Sequence, residues 1–382
     1  MIQSTEFQIF LGFLTAFYSL VMLGLLVGSR RLQFDPSPSK PFVSVIVAAR
    51  NEEKNIPALL DCLSHLNYDS YEVIIVNDRS TDQTASIIRQ YQKRFTFLRS
   101  ITVESVTPGM PAKKNALSLG VAASKGEILC FTDADCTPPV GWISALVSAF
   151  DEATGLVVGY SPYAAAPSTK NASAAAHSLL LQFVEYEEFK GAVWSAGAIG
   201  LKKGWLCTGR SLAYRRRVYD QVGGYDRIKH SVSGDDDLFL QLVRRQTDWK
   251  IRYVTDPSSF VPTVAPATFN EFVRQRVRHF SAGKFFSPMM KLFFVAFHSA
   301  NLLILLTFLS SIFSGLATAL VWPYLWKCAI DGVLFFNTAP IFGQRRFSST
   351  FILMEALYVL YNTFIGPLGL IKRFDWKPEL SQ

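Results

Sequence analysis

Charge is scarce in this chain of 382 residues. Asp, Glu, Lys and Arg supply 18% of it, against about 25% in ordinary soluble domains. That rules out a disordered chain and argues against a wholly soluble fold. Cysteine is equally sparse: Cys62, Cys130, Cys136, Cys207 and Cys328 are odd in number and show no CxxC spacing. A disulfide framework or a zinc site is therefore not expected, and a reducing compartment is. No GxGxxG opens the first helix after a strand, which disfavours a dinucleotide dehydrogenase. There is no internal repeat, no low-complexity tract and no nucleic-acid reader motif. The +8 net charge gathers beside apolar segments, so nucleic acid is not an expected partner.

What the chain does have is apolar surface, with 49% hydrophobic residues and 31 Phe. Phe7 to Val27 is uncharged and long enough to cross about 30 Å of hydrocarbon. Arg30 and Arg31 follow it rather than precede it, so it reads as an uncleaved anchor with the next segment in the cytoplasm. Leu292–Ile312, Gly315–Val333 and Phe347–Ile371 are the later apolar runs. The second carries Pro323 and Lys327. The third is flanked by Arg345 and Arg346 on one side and Lys372, Arg373 and Lys377 on the other, and Asn362, Gly366 and Pro367 would permit a re-entrant or interfacial path. The expected organisation is an anchor over 1–29, a cytoplasmic globular domain over 40–290, two to three membrane helices over 291–372 and a tail over 373–382. The location is a cell (inner or plasma) membrane, with multiple passes. Asn171-Ala172-Ser173 fits a glycosylation sequon that a cytoplasmic domain would not expose to modification.

Within 40–290, Val43–Ala49 and Tyr71–Val76 are short β-branched runs without polar alternation, as strands buried on both faces require. Helical spacing follows the first over Asn55–Leu66. Phe97–Val103 and Gly126–Thr132 read as further strands and Lys114–Ala123 as a helix. The alternation predicts a parallel sheet of βαβ units. Asp78 and the Asp133/Asp135 pair stand where strands end, the edge at which open α/β sheets bind ligands.

Three clusters carry chemistry. Asp133-Ala134-Asp135 can hold a hard divalent cation, Mg²⁺ or Mn²⁺, which takes one or two carboxylates plus phosphate oxygens. Asp235-Asp236-Asp237 precedes the apolar stretch Leu238–Val243. Helix capping needs fewer acids, and mutual repulsion could raise one pKa into the range of a general base. Arg274 to His279 and Arg215-Arg216-Arg217 hold much of the basic charge, suited to lipid headgroups or, for the former, to a departing diphosphate. Leu179-Leu180-Leu181, Phe183, Val193, Trp194 and Trp205 could either pack a core or face lipid.

Taken in order, Ala48-Ala49-Arg50-Asn51-Glu52-Glu53, Val76-Asn77-Asp78, Lys113-Lys114-Asn115-Ala116-Leu117, Thr132-Asp133-Ala134-Asp135, Gly209 to Arg215, Val222-Gly223-Gly224-Tyr225 and the Asp235 cluster resemble the motifs of the family 2 glycosyltransferases. The resemblance spans nearly all of the globular stretch and extends to the family's membrane-bound branch. It implies a GT-A fold, Rossmann-like with a mostly parallel sheet. It also implies a nucleotide-sugar donor, usually a UDP-sugar, and inverting transfer to an acceptor hydroxyl. By the same resemblance Asp78 reads the base and Lys113 lies near the nucleotide. Asp133 is on the ribose side, Asp135 binds metal and Glu52 lines the donor pocket. Asp235 or Asp236 is the catalytic base. Gln275, Arg276, Val277, Arg278 and His279 are similar to a Gln-x-x-Arg-Trp motif of processive synthases, with His279 where Trp is expected. Gln275, Arg278 and His279 are thereby assigned to the diphosphate or acceptor side, and a single transfer to a lipid is favoured over polymer synthesis.

Overall fold

The computed structural model describes residues 5–164, 179–314 and 321–371. The sequon at Asn171, the first residues of the Gly315–Val333 run and the tail over 373–382 lie outside them.

Helix α1, Thr5–Ser29, leads into β1, Val43–Ala49, followed by α2, Ile56–Ser64, β2, Tyr71–Asp78, α3, Thr84–Gln92, β3, Leu98–Val103, α4, Ala112–Ala123, and β4, Ile128–Phe131. Every residue of β1 and β4 is buried, which is why their sequences lack alternation. These four strands are parallel, with β1 paired to β2 on one side and β4 on the other. After α5, Trp142–Val147, come β5, Thr154–Val158, the short β6, Tyr163–Ala164, and the long α6, Leu179–Gly200. Strand β7, Leu212–Arg215, runs antiparallel between β4 and β5; α7, Arg216–Gln221, and α8, Asp237–Gln246, lead to β8, Lys250–Tyr253. The seven-stranded sheet has the order β3-β2-β1-β4-β7-β5-β8. The short β9, Thr263–Val264, pairs with β6. The expected mostly parallel α/β sheet is the one observed. Strand order reverses about β1, with β2 and β3 on one side and β4 on the other, so the crevice lies outside the carboxyl ends of β1 and β4.

The remaining elements are helices: α9, Phe269–Phe280, α10, Pro288–Ser314, α11, Trp322–Thr338, α12, Phe351–Phe364, and α13, Gly366–Ile371. Among the described residues, three segments are long and apolar enough to cross a membrane: Thr5–Ser29, Pro288–Ile312 and Phe351–Ile371. The expected span over Gly315–Val333 lies partly outside the described residues. Its helix starts at Trp322 with Pro323 in the first turn, where a proline costs no hydrogen bond. It is 17 residues long and buries Lys327 against Asp331 at 2.5 Å, so it is not one of those three.

Helix α6 joins the two halves of the molecule. Its mid-section is buried, and Trp194 sits edge-on to Phe297, centroids 4.8 Å apart, while Trp205 meets Phe293. Phe183, Val193 and Trp194 are thus core residues, and the lipid-facing alternative for them falls away. Glycines set the approach of α1: a Cβ on Gly28 would stand 1.9 Å from the Gly197 carbonyl oxygen, and one on Gly200 2.0 Å from that of Gly28. The expectation that Arg215-Arg216-Arg217 serves a membrane surface is also corrected. Arg215 binds the Thr154 and Asp151 carbonyls, Arg216 binds those of Gly126 and Val121, and Arg217 lies over Trp249. Arg215 and Arg216 are spent on closing strand and helix ends, where backbone acceptors lack partners.

Candidate active site

Two loops at the sheet edge are knitted together. Asn51 and Arg79 both adopt a left-handed backbone, φ 53°. The Asn51, Glu52 and Glu53 N–H groups donate to Ser80, Thr84 and Asp82 side chains, and Asn51 Oδ1 accepts from the Thr81 N–H. Asp82 also caps α3 by accepting from the Thr84 N–H. The polar run after β2 therefore serves the neighbouring loop as much as its own helix. It fixes Glu52 and Asp78 on one rim.

Asp78 is fully buried at the end of β2. One carboxylate oxygen pairs with Arg79 at 3.0 Å, and the other, Oδ2, has no hydrogen-bond partner. A buried acceptor left open is costly, and a donor group of a ligand would satisfy it.

Across the crevice, Lys113 from α4 reaches Asp133 and Asp235, each at 3.0 Å. It joins the loop after β4 to the start of α8, residues about 100 apart in sequence. Lys113, Thr132, Asp133, Gly209, Tyr225 and Asp235 line one small pocket there. The adjacent Lys114 points the other way, fully buried, and donates to the carbonyls of Ile228, Ser231 and Ser233. Burial pulls its pKa down to about 8. It anchors the loop that delivers the Asp cluster.

The three acids of that cluster differ. Burial works to raise the Asp235 pKa, but the Lys113 ammonium overcomes it and holds the group below the usual carboxylate range. Asp236 is pushed up, by burial and then by the charge of Asp235; its oxygens accept from the Gly209 and Asp237 N–H groups at 3.0 and 2.7 Å. Asp237 accepts from the Cys207 N–H and is pushed further up by burial and Asp236.

Asp135 is the member of the Asp133-Ala134-Asp135 pair that Lys113 does not engage. Burial, then Asp133 and Glu52, push its pKa up to about 6, with Arg210 opposing. Among the described residues no group of three or more His, Cys, Asp or Glu side chains forms a metal site. The donors fit Mg²⁺ or Mn²⁺ held by a carboxylate or two with diphosphate oxygens completing the shell. They do not fit a site built from protein alone.

Arg210, a residue the motifs did not single out for a role, closes this side. It pairs with Glu188 of α6 at 2.6 Å and lies over Tyr163. Arg276 of α9 pairs with Glu187 at 2.6 Å and reaches the Tyr163 hydroxyl. Tyr163 in turn donates to Gln275, at 3.2 Å. The charges of Glu187 and Glu188 within a largely apolar helix were the available signal, since buried charges demand partners. His279 contacts Arg276 and Arg278. Burial and the charges of Arg278, Arg276, Arg210 and Lys113 drive its pKa well down, so the imidazole is neutral. Glu52, Lys113, Asp133, Asp135, Asp235, Asp236 and His279 thus belong to one electrostatic neighbourhood. Asp78 stands two strands away from β4, about 10 Å along the sheet edge. Gln275 and Arg278 sit on the α9 side.

Comparison with known proteins agrees with this fold. Residues 44–223 match the family described as glycosyl transferase family 2, and residues 193–354 the glycosyl transferase family group 2. A probable glycosyltransferase of Bacillus subtilis, YdaM, is 29% identical over 248 residues, 62% of this chain and 54% of the relative. A beta-monoglucosyldiacylglycerol synthase of Nostoc sp. is 30% identical over 245 residues, 62% and 48% of the two chains. The chain spans about half the length of these relatives. A mannosyltransferase from Pyrobaculum calidifontis, solved in complex with GDP-Man and Mn²⁺, superposes with a TM-score of 0.54 at 18% identity, covering 93% of this chain and 99% of that one. The likeness is one of fold.

Proposed function

The chain belongs to glycosyltransferase family 2, and on that premise we propose that it is an inverting hexosyltransferase. It moves a sugar from a nucleotide diphosphate sugar, a UDP-sugar being the favoured donor, to the hydroxyl of a membrane lipid. The observation that carries this reading is the Lys113 bridge, which brings a strand-end acid and the acids of α8 to one crevice. The catalytic unit is residues 40–290, with 1–29 and 291–372 facing the membrane and 373–382 as a tail. The lipid acceptor is supported by the helices long and apolar enough to cross a membrane and by a relative named for monoglucosyldiacylglycerol synthesis.

Asp78 Oδ2 accepts from the base, Glu52 lines the donor pocket, and Lys113 and Asp133 hold the nucleotide's inner side. Asp135 is the protein ligand of a divalent ion, which when bound neutralises charge on the diphosphate. Asp236 serves as the base. Two carboxylates whose surroundings drive their pKa values apart divide their tasks: Asp235, kept ionised by Lys113, orients the ammonium, and Asp236, raised toward the working pH, takes the proton of the acceptor hydroxyl. The hydroxyl attacks the anomeric carbon from the face opposite the diphosphate, and the nucleoside diphosphate leaves toward Arg278 and the neutral His279, with Gln275 on the acceptor side.

Membranes containing the protein, incubated with Mg²⁺ or Mn²⁺, native lipid and labelled nucleotide sugars, test this. Label in the organic phase that requires the metal and vanishes in Asp135→Ala supports the lipid reading. Label confined to water-soluble or insoluble polymer overturns it in favour of glycan assembly. UDP binding without any transfer overturns the enzymatic reading.

A further inference from the structure

We propose that the apolar segment Phe351–Ile371 does not cross the membrane but lies along the bilayer surface on the side of the sheet-bearing domain. There its outward face is seated in the acyl region of that leaflet.

The positions of its two ends carry the argument. Just before the segment, Gln344 reaches the hydroxyl of Tyr160, which follows β5 of the central sheet, and Arg346 pairs with Glu185 of α6 at 3.1 Å. Phe347 stands edge-on to Tyr186 of α6. Fourteen residues after Phe347, Tyr361 donates to Glu187 at 3.0 Å and meets Phe183 and Phe272 ring to ring. Glu185 and Glu187 are two residues apart on one helix, about 3 Å along its axis. A chain that leaves one and returns to the other has not traversed about 30 Å of hydrocarbon. The far end is tied down as well. A Cβ on Gly369 would stand 2.3 Å from Phe280 Cβ and 2.9 Å from the Val277 carbonyl oxygen, so α13 lies directly on α9. Helix α9 is itself held to α6 by Arg276.

Length and facing agree. The segment breaks at Ile365, ahead of Gly366-Pro367, and α12 has 14 residues, about 21 Å, too short to span alone. Its inner face packs Phe351, Met354 and Val359 around one buried charge, Glu355, which is paired with Lys190 of α6 at 2.6 Å. Its outer face is apolar and uncovered, with Ile352, Leu353, Leu360, Phe364, Leu370 and Ile371 exposed. An uncovered apolar surface of this kind needs an apolar neighbour. Basic residues at both ends, Arg345 and Arg346 before and Lys372 and Arg373 after, match anionic headgroups on one side of the membrane. They cannot both favour the same side if the segment crosses. The leaflet is the occupant rather than a partner protein, because α12 packs on α10 and α10 on α1, and α1 and α10 are each long and apolar enough to cross a membrane.

The consequence rests on the transferase reading: α9, which carries Gln275 and Arg278, adjoins this lipid-facing surface, so an amphiphilic acceptor would be drawn from that same leaflet.

The test uses the full-length protein in sealed vesicles of both orientations. One epitope is fused after Gln382, and another is inserted in the exposed turn at Lys93–Arg94 to mark the side of the sheet. Both epitopes should be reached by antibody in the same vesicle orientation and protected in the other. Accessibility in opposite orientations would overturn the proposal. As a second measurement, a fluorophore at Leu360→Cys should be quenched by shallow, headgroup-proximal quenchers more than by bilayer-centre ones; the reverse order would also overturn it. Sugar transfer measured on the same vesicles keeps the two readings separable, since the topology can fail while transfer persists.

Discussion

Lys113 Nζ lies 3.0 Å from Asp235 Oδ2, and through that contact the parallel half of the sheet is locked to the helix that carries the acid cluster. The same ammonium holds Asp133. Removing it leaves two part-buried carboxylates facing one another without compensation.

Lys113→Met should therefore lower turnover by at least about 100-fold, of the order a single preorganised electrostatic contact contributes. It should also weaken binding of the nucleoside diphosphate. Titration calorimetry with UDP and steady-state transfer would check both. Unchanged nucleotide affinity would remove Lys113 from the donor site.

Asp236→Asn should reduce kcat by about 10²–10⁴, the range of general-base catalysis, with donor affinity retained. The active form is the carboxylate, so activity rises with pH along the acid limb. Because burial and Asp235 hold the Asp236 pKa up, that limb lies above the ordinary Asp range of about 3.9. Asp235→Asn removes the neighbouring charge, and the limb should then move to lower pH. A limb that stays in place, or full activity in Asp236→Asn, would assign the base elsewhere. The two acids act oppositely on folding. The raised Asp236 stabilises at low pH and loses that contribution as pH rises through its folded pKa. The lowered Asp235 stabilises above its ordinary pKa and loses that as pH falls through its folded value.

Lys114→Met strips three carbonyls of their shared donor. Each buried acceptor left unpaired costs about 1–3 kcal/mol, so the variant should lose at least about 3 kcal/mol. It should also lower kcat through displacement of the Asp235 loop. Thermal unfolding in detergent measures the first effect. A wild-type melting temperature would mean that the loop finds other donors.

Gly197→Ala and Gly191→Ala form a matched pair on α6. A Cβ at Gly197 meets the Leu25 carbonyl oxygen at 2.7 Å, whereas one at Gly191 meets nothing within 4 Å. Gly191→Ala should be neutral or gain up to about 1 kcal/mol from helix propensity. Gly197→Ala should destabilise by forcing α1 away. Equal melting temperatures for the two would show that α1 does not depend on this close approach.

Much of the fold was legible because its central strands β1 and β2 are buried on both faces. Val43–Ala49 and Tyr71–Val76 announce themselves by continuous β-branched runs, and strand-end acids mark the ligand edge. The acids themselves, Asp78, Asp133, Asp135 and the Asp235 cluster, stand out because carboxylates beside apolar runs are rare. What residue order could not convey was pairing. Lys113 and Lys114 are adjacent and chemically alike, yet one reaches into the crevice and the other braces a loop. Arg276 lies inside a basic run that reads as membrane-facing, yet it is buried by Glu187. The Phe351–Ile371 run has the length of a span, and only its contacts with α6 and α9 give it a different path. Periodicity and composition are local properties, and the chain by itself determined the sheet, the apolar segments and the candidate acids. Which ammonium meets which carboxylate, and on which side an apolar helix ends, depends on contacts between residues far apart in sequence, and those the tertiary structure alone decided.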